Sequence, residues 1–107
     1  MPAPADGDNR YKAVQAKLDK LGKAMDDATL DLEALRRSMH ANAGAAGDMA
    51  QDIENAHLDP KFVVVTRAVE SALDGATREV RTLRDTAQET ADLTHETQRT
   101  HSKLYGA

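Results

Sequence analysis

Apolar and small residues recur along this chain at alternating steps of three and four, in two runs separated by an Asp-Pro. The first run is Tyr11, Val14, Leu18, Leu21, Met25, Ala28, Leu32, Leu35, Met39, Asn42, Ala46, Met49, Ile53 and Ala56. The second is Phe62, Thr66, Val69, Leu73, Ala76, Val80, Leu83, Ala87, Thr90, Thr94, Thr97, His101 and Leu104. Such spacing keeps one stripe on one side of a helix. It predicts an all-α fold, a long antiparallel two-helix hairpin of coiled-coil type, with helices over 9–56 and 60–105. Residues 1–8 hold two prolines, a glycine and two aspartates, which predicts a disordered lead-in before a single domain over 9–107. Asp8 or Asn9 is placed to cap the first helix.

The break at 57–59 is strong. Asp59 is a good N-cap, and Pro60 fits the first helical position, where its missing N–H costs nothing. A turn centred there sets Met49 opposite Val69, Leu35 opposite Leu83 and Leu18 opposite His101, with Tyr11 and Tyr105 together at the open end. A weaker spot lies at 42–48, where Gly44 and Gly47 each cost about 1 kcal/mol relative to alanine. The helix either stops and restarts there or runs through; the unbroken phase of Ala46, Met49 and Ile53 favours running through.

The stripe is uneven. Near the turn, Phe62, Val63, Val64, Val65, Ala68 and Val69 surround the second helix, with Met49, Ile53 and Leu58 across from them. One partner helix cannot cover a cylinder that is apolar all round. Either the tip leaves a few valines exposed or it docks another protein, with Met49, Leu58, Phe62, Val63, Val64 and Val65 as the contact residues. At the other end, Thr90, Thr94, Thr97 and His101 underfill the seam, so that end should fray or be completed by a partner.

Composition sharpens this picture. With 40% apolar residues and three aromatics in 107 residues, the chain cannot build a deep core. It therefore calls for a partner, either a second copy forming a four-helix bundle or another helical protein. A net charge of −4 with both signs interspersed disfavours nucleic-acid binding through a basic face. No apolar run is long enough to span a bilayer, and the N-terminus does not read as a secretory signal. The expected location is cytoplasmic, with export by a route that reads folded helical pairs left open. There is no cysteine, hence no disulfide or thiol chemistry.

Little else suggests chemistry. His40, His57, His95 and His101 lack the i, i+4 spacing of a helical metal site, and surface or seam roles suffice for them. The carboxylates at 26–33 and 52–54 are spread around the helix without an enclosed pocket. Ser38, Ser71 and Ser102 have no adjacent base, and Gly44 and Gly47 do not form a phosphate loop. Arg36, Arg37, Arg78, Arg81 and Arg84 read as a solvated, salt-bridged face. The expectation is a protein that is not an enzyme, with no cofactor, metal or small-molecule substrate.

Leu35-Arg36-Arg37 with Ala41-Asn42-Ala43, Leu58-Asp59-Pro60-Lys61-Phe62, and Thr100-His101-Ser102-Lys103-Leu104-Tyr105 resemble a family of small actinobacterial helical proteins known as conjugal transfer proteins. The likeness covers Val14 to Tyr105 and implies an accessory role beside a DNA-pumping ATPase. Members often continue into a basic tail after the tyrosine; here Gly106 and Ala107 follow Tyr105, and a function carried by such a tail is not carried over to this sequence. A second resemblance, of shape, is to the Trp-x-Gly hairpins of type VII secretion. This chain has no tryptophan and lacks the Tyr-x-x-x-Asp/Glu signal after Tyr105. The expected function is thus a non-catalytic helix-packing module of a conjugation or mobile-element system. The alternatives are a type VII-like secretion hairpin and a nucleic-acid-associated scaffold.

Overall fold

The computed structural model describes the backbone of residues 2–105 and the side chains from Asn9 onward. Two helices, α1 (Pro2–Asn55) and α2 (Pro60–Tyr105), account for nearly all of it, and there is no strand among the described residues. The chain is an all-α helical hairpin. The expected lead-in over 1–8 is helical from Pro2. Prolines 2 and 4 fall in the first turn, where backbone N–H groups have no intrahelical acceptor, so neither ring removes a hydrogen bond.

Between the helices, His57 adopts the left-handed conformation at φ 54°. Its N–H donates to the Glu54 carbonyl at 3.1 Å, and the Leu58 N–H reaches the Ile53 carbonyl at 3.4 Å. These two bonds make a Schellman ending, which usually places glycine where His57 stands. Asp59 then caps α2, its Oδ1 accepting the Lys61 N–H at 2.9 Å. A Cβ in the left-handed region costs about 1–2 kcal/mol, partly offset by the greater freedom glycine has in the unfolded chain. His57→Gly is therefore expected to stabilise the protein by about 0.5–1 kcal/mol, read as a higher urea midpoint at unchanged slope. A lower midpoint would contradict this reading of the turn.

The chain divides into two compact units, residues 31–84 and residues 1–30 with 85–107. In the 31–84 unit, Ala43, Ala46 and Ala50 of α1 and Thr77 and Val80 of α2 are buried, with Leu32, Met39, Ile53, Val63 and Leu73 half-buried. Through this stretch α1 continues unbroken across Gly44 and Gly47. Gly44 faces open space, while a Cβ on Gly47 would meet the Glu70 carboxylate. The small side chains let the helices approach closely, and that packing offsets the propensity cost of the glycines.

In the other unit, Gly22, Ala91 and Thr94 are buried, with Tyr11, Leu18, Met25, His95 and His101 half-buried. α2 remains helical to Tyr105 despite its threonines. Each of Thr66, Thr77, Thr82, Thr90, Thr94 and Thr97 donates its hydroxyl to the carbonyl four residues earlier, at 2.7 to 3.2 Å. Those bonds satisfy the hydroxyls of the buried Thr77 and Thr94 within their own helix, so both threonines pack without an orphaned polar atom.

The expected ladders need a correction. Leu18, Met25, Leu32, Met39, Ala46 and Ile53 of α1 do line the seam, but the alternate steps fall one residue later than expected. Gly22 is buried instead of Leu21, Ala43 instead of Asn42, and Ala50 instead of Met49. In α2, Thr77 and Ala91 are buried while Ala76 and Thr90 are half-buried, and the half-buried Val63 lies inward of the exposed Phe62. A hairpin buries one stripe per helix, and at Gly22, Ala43, Ala50 and Ala91 it buries the smaller of two adjacent residues.

Candidate functional site

Rotating the seam by one residue leaves the two flanks of the 31–84 unit very different. One flank is charged. Glu33 is only 22% exposed, and its carboxylate accepts hydrogen bonds from Arg36 Nη2 at 2.8 Å, Arg37 Nε at 3.3 Å and Arg84 Nη1 across the helix pair. Those guanidiniums, Arg36 first and then Arg84, hold the Glu33 carboxyl far below the usual carboxylate range, against the opposing pull of desolvation. Nearer the turn, Arg67 pairs with Glu70 at 3.1 Å and reaches Glu54 of α1 at 3.9 Å.

The opposite flank is apolar. Met49, Val65 and Val69 line one shallow groove with Asn42, Ala45, Ala46, Thr66 and Leu73, which places positions from both helices on a single face. The heptad repeat carries Leu35 and Leu83 onto the same stripe, one and two heptads away. Met49 is 58% exposed and Leu83 57%, with Leu35 and Val69 close to half exposed. The side chains that a coiled coil normally buries are here the surface.

Five of the six residues expected to make contact line one of two grooves, and Phe62 lines neither. Phe62 is exposed, as are Met49 and Val65, which belong to the apolar flank. Leu58, Val63 and Val64 line a second groove beside the turn with Glu54, His57 and Pro60. Val63 is half-buried, and Leu58 and Val64 are exposed. Leu35, Val69 and Leu83 were not among the expected contacts because they read as seam. A signal existed in the small residues recurring beside the ladder (Gly22, Ala43, Ala50, Thr77, Ala91), which admit a closer helix pairing than leucine does.

In the other unit, His95 Nε2 lies 3.0 Å from Asp26 Oδ2. Gly22 makes room for that imidazole, since a Cβ there would sit 2.6 Å from His95 Cε1. His101 stacks on Tyr11 at 5.1 Å and 5°, tilts against Tyr105 at the same distance, and places Nδ1 2.8 Å from Gln15 Oε1. The tyrosines do gather at this end. Both histidines are held by intramolecular partners. Among the described residues no group of three or more His, Asp or Glu side chains is placed to hold a metal ion. None of the described helices is long and apolar enough to cross a membrane.

Glu33 with Arg84, Gly47 beside Glu70 and Gly22 beside His95 lie within one residue of the offset expected for Met49 with Val69, whereas His101, expected opposite Leu18, meets Tyr11 and Gln15 instead. No protein-family model matches the chain, and neither a curated protein nor a solved structure matches it.

Proposed function

We propose that this chain is a non-catalytic interaction module that works by helix packing. The observation that carries the reading is the apolar flank of the 31–84 unit, where Leu35, Met49, Val69 and Leu83 stand exposed opposite a flank closed by ion pairs. Soluble monomers seldom display contiguous apolar surface of this kind, and where it occurs it usually marks a contact site. The setting comes from the sequence resemblance at Leu58–Phe62 and Thr100–Tyr105, which suggests an accessory of an actinobacterial conjugation or mobile-element system.

The test is transfer frequency from donor cells carrying either the wild-type chain or Leu83→Glu. Because Leu83 is exposed, the substitution leaves the hairpin's own seam untouched. Transfer should fall by about tenfold or more with the variant present at normal levels. Unchanged transfer would sink the accessory role.

A further inference from the structure

We draw no further inference here: the strongest candidate, the exposed apolar flank of the 31–84 unit around Met49, Val65 and Val69, belongs to the site already described, and nothing in the structure shows what covers it.

Discussion

Ala50→Leu is expected to lower the thermal midpoint by on the order of 10–20 °C. Ala50 has no exposed surface and sits where α1 lies against α2, between Ala46 and Ile53. A leucine there adds three carbons with no space to accept them, so the helices must separate or the side chain must leave its rotamer. Overpacking of this kind costs about 1–3 kcal/mol, and each kcal/mol moves the midpoint of a domain this size by about 4–8 °C. Ala91, equally buried in the other unit, should respond in the same way. The effect runs against ordinary intuition, since leucine is a good helix former and adds apolar surface. Calorimetry on the purified variants checks it.

The second large effect is at Glu33. Its carboxylate is the shared acceptor of Arg36, Arg37 and Arg84, and Arg36 and Arg84 are only 20% and 26% exposed. Glu33→Gln keeps the shape but removes the charge that the partly buried Arg36 and Arg84 guanidiniums share. Because the folded chain holds this carboxyl below its ordinary value, the pairing stabilises the fold fully above the unfolded carboxylate pKa of about 4.3. That contribution is lost progressively as pH falls from about 5 toward the depressed folded value. Wild type should therefore be clearly more stable than Glu33→Gln at pH 7, and the gap should narrow steadily as pH falls below about 5. Urea midpoints measured across that range decide it. A gap that stays constant with pH would mean the residue acts by shape alone.

Much of the fold was legible in the residues. The stepping of Leu18, Met25, Leu32 and Met39 specified a helix, Asp59-Pro60 specified where it turns, and the pair rule derived from that turn matches Glu33 with Arg84 and Gly47 beside Glu70. Periodicity did not reveal which of two adjacent stripes goes inside. Leu21 and Gly22, Asn42 and Ala43, Met49 and Ala50 each offer a choice one residue apart, and both choices keep heptad phase. Hydrophobicity argues for Leu21 over Gly22 and for Met49 over Ala50. The structure takes the smaller, because close packing around Ala43, Ala46 and Ala50 goes with cross-helix pairing of Glu33 with Arg84 and Glu54 with Arg67. Reading one sequence position at a time, neither interaction is visible, since each needs the two helices already in register.

The candidate site was legible in the same partial way. The greasy tip from Phe62 to Val65 is conspicuous in composition, and Phe62, Val64 and Val65 are exposed. The longer face carrying Leu35, Val69 and Leu83 was hidden because those residues were assigned to the core. Correcting the seam by one residue changes them from interior to surface, and moves the expected contact from the turn to the length of the 31–84 unit.

The most direct measurement of that correction is a side-by-side thermal melt of Met49→Gln and Ala50→Leu, two neighbouring residues, in solution dilute enough to exclude association. With the seam on Ala50, Met49→Gln should melt within a few degrees of wild type, while Ala50→Leu falls by the larger amount given above. If Met49→Gln proves the more damaging substitution and Ala50→Leu is tolerated, the seam runs along the large residues and the exposed apolar flank does not exist.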